Sequence, residues 1–373
     1  MKIGILTYQN TLNFGASLQS YALYETCKKC GAETEIIDYR NERITEATKP
    51  ISVINKRGSK KINPIGIIKY LFVYPLVAKK KKSFRKFQNN FMKYGKQVFH
   101  SKDEIMHAPP IYDKYIIGSD QVWNYNINGM DTTYFMDFVQ DKSKLMSFSS
   151  SFGLERIDEN KEEIYKYFLD LIPIISVREE IGAEIIFNLT GKKVTVINDP
   201  VFLLNKDEWL KIASNKKRKS KNHIVSYFLN YNTRLSFENL IENEISLKKL
   251  KVAKLAGGIK INDFINTKVK VDYSNGPIDF INYINDAKYI CTDSFHATVF
   301  SILLNKQFIV FLSGDKGRDS RIINLLKIFN LENRIYNKDA TNSLDDPINF
   351  DNVNEICDAL KSEGMSFLKE NLK

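Results

Sequence analysis

The chain has few residues of the types that build metal and disulfide sites. Its 373 residues include only four cysteines and four histidines. Cys27 and Cys30 form a C-x-x-C pair, but a structural zinc site needs four ligands, and the sequence offers no second pair. The pair falls in the last turns of a predicted helix, where side-chain packing explains it. We therefore expect no metal and no redox centre.

Long apolar runs, repeats and low-complexity tracts are also absent. A membrane-spanning helix needs about 20 apolar residues, and the apolar run within 57–95 is shorter and carries Lys69 and Pro75. Its lysine-rich flanks have two explanations: an interfacial membrane anchor, or a helical excursion that packs on its own domain with solvated lysines. The start, MKIGILTYQN, lacks a signal-peptide pattern. We therefore expect a cytoplasmic protein, with peripheral contact at the inner membrane face as an option.

Positive charge dominates, with a formal net charge of +11 at pH 7. The lysines are spread along the chain, and no nucleic-acid motif accompanies them, so we expect no nucleic-acid partner. A lysine-rich surface explains the charge. Attraction to an anionic membrane or a small anionic substrate is the alternative.

Strand and helix patterns alternate along the whole chain, which indicates parallel sheets covered by helices on both faces. A polar, basic stretch at 205–222 divides the chain into a first domain, 1–204, and a second, 223–350, followed by a helix within 351–373. Ligands of such α/β folds collect at the carboxyl ends of strands, here in the cleft between domains. Strands are predicted at 2–8, 34–39, 114–119, 145–150, 173–177, 193–198, 223–229, 251–256, 268–272, 288–292 and 308–312.

Two loops of the first domain follow predicted strands. In NTLNFGASLQ (10–19), Asn13 and Gly15 precede a helix whose main-chain N–H groups form a general anion site, although Gly15 also suits a simple turn. Neither G-x-G-x-x-G nor a P-loop is present. In IIGSDQVWN (116–124), Asp120 and Gln121 follow the carboxyl end of a predicted strand, where ligand-binding sites form in open α/β sheets. Asp120 has the alternative role of capping the next helical turn, and Trp123 is expected to pack in the core.

Arg178 stands where the strand PIISV (173–177) becomes a helix. A cation at a positive helix end is unfavourable unless an anion binds there, which makes Arg178 a candidate clamp for phosphate or carboxylate. The alternative is a salt bridge to a neighbouring acid.

His296 opens a helix after the strand in ICTDSFHATVFSILL (290–304), with Asp293 or Ser294 as the cap. A bound dianion would favour its protonated form and make it a general acid. Many histidines at helix starts are only structural. The loop SGDKGRDSR (313–321) adds Lys316, Arg318 and Arg321, which are either further cations for an anionic ligand or a solvated turn.

Together these segments resemble the polysaccharide pyruvyl transferase family over nearly the whole chain. The matching motifs are NFGASLQ (13–19), IIGSDQVWN (116–124), SVREE (176–180), NDPVFLL (198–204) and TDSFHATVFS (292–301). The resemblance implies a GT-B-like architecture of two Rossmann-like domains facing across a cleft. It also implies transfer of pyruvate from phosphoenolpyruvate, as co-substrate, onto two hydroxyls of a free or lipid-linked sugar acceptor, forming a ketal. No cofactor is implied.

By resemblance, Arg178 holds phosphoenolpyruvate and His296 acts at the reacting centre. Better-known members have Arg-Leu-His where this chain has Ser294-Phe295-His296. We expect Lys316, Arg318, Arg321 or main-chain N–H groups near Ser294 to replace the missing arginine, and Asp120 to act as the base.

Two other functions remain open from the sequence. One is a GT-B glycosyltransferase that uses a nucleotide sugar, for which LAGGIK (255–260) is a faint signature. The other is a sugar-phosphate-binding protein without catalysis.

Overall fold

The computed structural model describes residues 1–41, 43–44, 64–213, 223–240, 250–256, 271–272, 275–337 and 346–372. Within these ranges, the side chains of 64–73, 239, 256, 271–272 and 316 are not described.

The first sheet has five parallel strands in the order β3-β2-β1-β4-β5. The central strand β1 aligns its Ile5 with Ile36 on one side and Ile116 on the other. A short ladder, β6-β7, continues beside β5 through a bridge between Ser150 and Val177. The strands are β1 (Lys2–Leu6), β2 (Glu33–Tyr39), β3 (Tyr94–Phe99), β4 (Lys114–Ile117), β5 (Leu145–Ser147), β6 (Ser176–Val177) and β7 (Thr195–Val196).

The second sheet repeats this design with the order β10-β9-β8-β11-β12, again parallel. In both sheets the first strand along the chain is central, and the chain then adds strands on one side before the other. Such a reversal leaves a crevice at the carboxyl ends of the strands beside it. The strands are β8 (His223–Phe228), β9 (Lys251–Ala256), β10 (Val271–Asp272), β11 (Tyr289–Thr292) and β12 (Gln307–Val310).

Helices cover the sheets, and the last helix returns to the first half of the chain. A Cβ added at Gly364 would lie 2.7 Å from Leu203 Cδ2, so this helix packs closely on the first half. The helices are α1 (Phe14–Lys29), α2 (Pro64–Phe91), α3 (Lys102–His107), α4 (Tyr125–Asn128), α5 (Glu159–Asp170), α6 (Glu180–Thr190), α7 (Lys206–Ile212), α8 (Tyr231–Leu240), α9 (Pro277–Asp286), α10 (Phe295–Leu303), α11 (Lys316–Ile328) and α12 (Phe350–Asn371).

One of the apolar core clusters among the described residues contains side chains from both halves of the chain. The Phe14 ring, at the start of α1, stacks on Phe84 of α2 at 5.4 Å and on Phe280 of α9 at 4.8 Å. Trp209 of α7 is fully buried and contacts Tyr21 in the first half and Phe300 in the second. Because these rings belong to both halves, burying them holds the two sheets in one arrangement.

Most predicted strands are present, with two differences. Strand β3 was missed because YGKQVF is an edge strand with exposed polar positions, so it lacks an apolar run. The predicted strands at 173–177 and 193–198 are both reduced, to the two-residue strands β6 and β7. Residues 268–270 of another predicted strand, 57–63 of the basic segment, 214–222 of the predicted linker and 257–260 of LAGGIK lie outside the described residues. The predicted domain boundaries stay a prediction.

The basic segment forms α2, which ends at Phe91, before the predicted limit of 95. Phe84 and Phe87 are buried in the shared core. Lys80 is also buried, and burial lowers its pKa to about 8. The lysines of the basic segment are therefore not all exposed to solvent. Among the described residues, none of the helices combines the length and apolarity that a membrane crossing requires.

We expect Phe14→Ala to lower the free energy of unfolding by about 3–5 kcal/mol, because it removes a buried ring that contacts both halves. Urea unfolding followed by circular dichroism measures the change. Phe187→Ala, at a half-exposed position of α6, is the control and should change stability by less than about 0.5 kcal/mol. A loss below about 1 kcal/mol for Phe14→Ala would contradict a core shared through this ring.

Candidate functional site

A cavity of about 610 Å³ lies between the carboxyl edges of the two sheets. Loops that follow β1, β4, β5, β8, β11 and β12 form its walls, as expected where parallel strands end. Of the predicted site residues, it is lined by Asn13, Asp120, Gln121, Ser294, His296, Arg318 and Arg321. Arg178 and Gly15 lie behind this wall, and the side chain of Lys316 is not described.

His296 sits in the first turn of α10, and the predicted cap is Ser294, whose side chain accepts a hydrogen bond from the Ala297 N–H. The other predicted cap, Asp293, instead accepts main-chain N–H bonds from Leu229 and Asn230 and a hydroxyl bond from Thr233. Asp293 is therefore engaged in fixing the turn after β8.

The imidazole of His296 lies directly against Gly15 of α1. A Cβ added at position 15 would be 2.0 Å from Nδ1, which is closer than any real contact. Gly15 is thus required for the close approach of the two halves. The expected anion site at its N–H is not free, because Asn13 Oδ1 accepts hydrogen bonds from Gly15 N at 2.9 Å and Ala16 N at 3.3 Å.

Behind His296 lies Asp199, a carboxylate that the sequence interpretation did not single out. Its Oδ2 is 3.3 Å from His296 Nε2 and 3.1 Å from Arg178 Nη2. Its Oδ1 accepts a hydrogen bond from the Val201 N–H and so caps the 3₁₀ turn Pro200–Leu203. In the motif NDPVFLL, the position of Asp199 before a proline indicates a helix-capping residue. The contacts of Asp199 with Arg178 and His296 cannot be predicted from that motif, because both partners are distant in sequence.

Asp199 is ionised although it is fully buried. Burial alone raises the pKa of this carboxyl, but Arg178, His296 and the Val201 N–H outweigh that effect and hold the pKa at about 2. A buried carboxylate of this kind is tolerated only with its partners in place.

Arg178 differs from its predicted place. Its side chain is 1% exposed, pairs with Asp199 and donates to the Ser119 hydroxyl, so it does not face the cavity. The structure therefore shows the salt bridge that was the alternative interpretation, but the acid is Asp199, which is distant from Arg178 in sequence.

Arg321 of α11 is one of three arginines, with Arg156 and Arg318, that line the cavity within the described residues. Within the described residues no carboxylate forms an ion pair with it, and its Nε has no hydrogen-bond partner. Burial lowers its pKa, while the carboxylates of Glu179 and Asp120 act in the opposite direction. With the Gln121 amide turned to satisfy both of its groups, its oxygen accepts from Arg321 Nη2 at 3.0 Å and Nη1 at 3.1 Å.

The Phe295 ring connects the two arginines. The guanidinium carbon of Arg178 lies 5.4 Å from the ring centroid, and that of Arg321 lies 5.9 Å from it. Both distances fall within the range of cation–π attraction. The ring therefore helps to place Arg321 at the cavity wall.

Asp120 lies in the cavity wall in a left-handed conformation, with φ 76°. Its Oδ1 accepts a hydrogen bond from the Gln121 N–H at 2.8 Å. The helix-capping alternative is wrong, because Asn124 caps the next helix, α4. The prediction that Trp123 packs in the core is confirmed, since it is fully buried against Phe135.

The described residues contain no cluster of three or more histidine, cysteine or acidic side chains arranged for a metal ion. Cys27 is buried in the shared core, and burial raises the pKa of its thiol.

Gly15→Ala should force the His296 ring away and lower the free energy of unfolding by about 1–3 kcal/mol, because the added methyl overlaps the imidazole. Gly182→Ala is the matched control: its Cβ would be 3.4 Å from Val177 Cβ, and it lies inside helix α6. We expect the control to be neutral or stabilising. Equal urea midpoints for the two variants would show that the imidazole does not occupy this space.

Asp199→Asn should destabilise the protein at pH 7 by about 3–5 kcal/mol, because it leaves Arg178 buried without its counter-charge. The folded pKa of about 2 lies below the ~3.9 of an unfolded aspartate. The stabilisation is therefore fully present above pH ~4 and is lost as the pH falls towards ~2. Urea unfolding from pH 7 to ~3 should show the variant converging on the wild type. The exposed Asp358→Asn is the control, and a pH-independent gap would refute the assignment.

Comparison with known proteins gives a family from one search and a similar fold from another. The family description "Polysaccharide pyruvyl transferase" matches residues 13–315. No curated protein matches the chain significantly. Among solved structures, a provisionally assigned UDP-N-acetylglucosamine 2-epimerase from Listeria monocytogenes has a TM-score of 0.51 at 10% identity, over 99% of this chain and 90% of that one. The S. aureus MnaA–UDP complex has a TM-score of 0.49 at 11% identity, over 99% and 91%.

At such low identity, the likeness to the Listeria protein concerns the fold alone, and it agrees with the two parallel sheets in a GT-B-like arrangement. The family match is more specific. It runs from Asn13 at the start of α1 to Asp315 at the start of α11, and it includes Asp120, Arg178, Asp199 and His296. Since it spans most of the chain, this protein belongs to the polysaccharide pyruvyl transferase family.

Proposed function

We propose that the protein moves pyruvate from phosphoenolpyruvate onto two hydroxyls of a sugar in a surface or capsular polysaccharide precursor, forming a ketal. Family membership supports a pyruvyl transferase. The observation that carries the choice of donor is Arg321, a cation at the cavity wall that has no carboxylate partner among the described residues.

The donor would be bound by charge. Phosphoenolpyruvate carries a phosphate and a carboxylate, and planar guanidinium groups bind either in bidentate fashion. Arg321 and Arg318 both line the cavity. The N-termini of α10 and α11 face the same space and favour negative charge. Arg178 would act indirectly, because its charge is already matched by Asp199.

His296 is the proposed proton donor and acceptor. Asp199 faces Nε2, and Nδ1 makes no hydrogen bond within the described residues. Nδ1 is therefore the nitrogen with which substrate protons would exchange, while Asp199 fixes the ring orientation and stabilises the imidazolium.

The reaction balances with these groups. One sugar hydroxyl adds to C2 of phosphoenolpyruvate and loses its proton to the base, for which Asp120 in the cavity wall is our candidate. A proton from His296 is added to C3. The C2–O bond to phosphate then breaks, and the second hydroxyl attacks C2, so that its proton leaves with phosphate. The products are the cyclic ketal and inorganic phosphate.

Titration calorimetry with phosphoenolpyruvate tests the donor. Arg321→Gln should weaken binding about 10- to 100-fold, because a charge-assisted hydrogen bond contributes about 1.5–3 kcal/mol. Lys327→Gln, an exposed lysine in the last turn of the same helix, should bind like the wild type. Thermal unfolding of both variants checks that the fold is kept.

Two results would reject the proposal. One is phosphoenolpyruvate binding that is equal in Arg321→Gln and the wild type. The other is binding of a nucleotide sugar in place of phosphoenolpyruvate, which would favour a glycosyltransferase. A panel of nucleotide sugars titrated alongside separates these cases.

A further inference from the structure

A second cavity, of about 780 Å³, lies in the first half of the molecule. It opens beside the carboxyl ends of β2 and β3 and is covered by α2. Its volume falls in the range of about 300–1,000 Å³ that is usual for small-molecule sites. The proposed chemistry at His296 does not use it.

One face of α2 forms a wall of this cavity. Lys81, Arg85, Gln88 and Asn89 line it, and their spacing places them on one side of the helix. The neighbouring Phe84 and Phe87 are buried, and they fix that side of α2 relative to the sheet.

The opposite wall is a fixed polar network. Asp38, just inside the end of β2, accepts two hydrogen bonds from Arg40, at 3.0 and 2.8 Å, and one from Asn10 at 2.8 Å. The Asp38 carboxylate is thus already neutralised by Arg40. His100, after β3, and the Tyr94 ring complete this side.

Among the described residues that line the cavity, Arg40, Lys81 and Arg85 carry positive charge and Asp38 carries negative charge. Arg85 is exposed, and no ion pair involves it within the described residues. Uncharged amide and hydroxyl groups make up much of the remainder, together with the aromatic side chains of Phe84 and Tyr94. An anionic ligand that is rich in hydroxyl groups matches this lining.

The two cavities share one loop. Asn10, Thr11 and Leu12 line the second cavity, and Asn13 lines the cavity that contains His296. The linings of the two cavities are therefore continuous along this loop. An elongated acceptor can pass over this loop and present its terminal hydroxyls to His296.

We infer that the second cavity binds the part of the acceptor distant from the reacting hydroxyls, and that this part is a saccharide bearing a phosphate. The inference rests on the proposed function. The phosphate belongs either to a free sugar phosphate or to a sugar joined by phosphate to a lipid. Arg85 contacts it in both cases.

The test uses full-length protein and a panel of hexose and N-acetylhexosamine 1-phosphates, each paired with its methyl glycoside. Calorimetry should detect sugar phosphates and show weaker binding of the matched glycosides. Arg85→Gln should weaken sugar-phosphate binding about tenfold or more and leave phosphoenolpyruvate binding unchanged. Lys86→Gln is the matched control, because Lys86 is exposed on the same helix and does not line the cavity.

The outcomes separate this inference from the proposed function. If no sugar phosphate binds, or if Arg85→Gln and Lys86→Gln behave alike, the inference is wrong, whatever phosphoenolpyruvate does. If phosphoenolpyruvate fails to bind the wild type while sugar phosphates depend on Arg85, the site exists and the proposed donor is wrong.

A second arm distinguishes the sources of the phosphate. The same sugar phosphates carrying an alkyl chain are placed in phosphatidylcholine vesicles, which have no net charge to attract the protein. Arg85-dependent sedimentation with these vesicles, together with weak binding of the free sugar phosphates, would support a lipid-linked acceptor. Equal affinity for both forms would support a soluble one. Sedimentation that persists in Arg85→Gln would overturn the role of the cavity.

Discussion

The ionised carboxylate of Asp199 contacts both Arg178 and His296 and so holds these two side chains together. It is completely buried, and two side chains from different halves of the protein contact it: Arg178 from the first and His296 from the second. A buried carboxylate without partners would destabilise the fold strongly, so the positions of all three side chains are interdependent. The location of His296 at the cavity is therefore a consequence of the fold and does not need a ligand.

This arrangement depends on how closely the two halves approach. His296 reaches Asp199 only because position 15 has no side chain. Phe14, the adjacent residue, stacks on rings from α2 and α9 and so fixes the start of α1 from both halves. Apolar packing and the ion pairs thus constrain the same short segment. A site built in this way is largely formed before substrate binds, which reduces the ordering that binding requires.

Much of the site was predictable because the carboxyl ends of parallel strands share one edge of a sheet. Asp120 and Ser294 follow β4 and β11, and they reach the cavity for that reason. Asp199 was not predictable, because its partners are distant in sequence and only its cap was visible locally. The ion pair of Arg178 with Asp199 could not be predicted for the same reason: the acids adjacent to Arg178 in sequence are Glu179 and Glu180, whereas its partner in the structure is Asp199. Strand β3 was missed because edge strands do not need an apolar run.

Ser294, which stands where better-known members of the resembled family have arginine, has a structural role in this protein. Ser294 caps α10, which an arginine side chain does not do. Two guanidinium groups lie near the Phe295 ring, those of Arg178 and of Arg321 in α11. The place of Arg321 depends on where α11 starts, and the Asp319 carboxylate fixes that point by accepting hydrogen bonds from Ser313 N at 3.0 Å and Gly314 N at 2.7 Å. The position of Arg321 in the cavity wall therefore depends on the loop after β12.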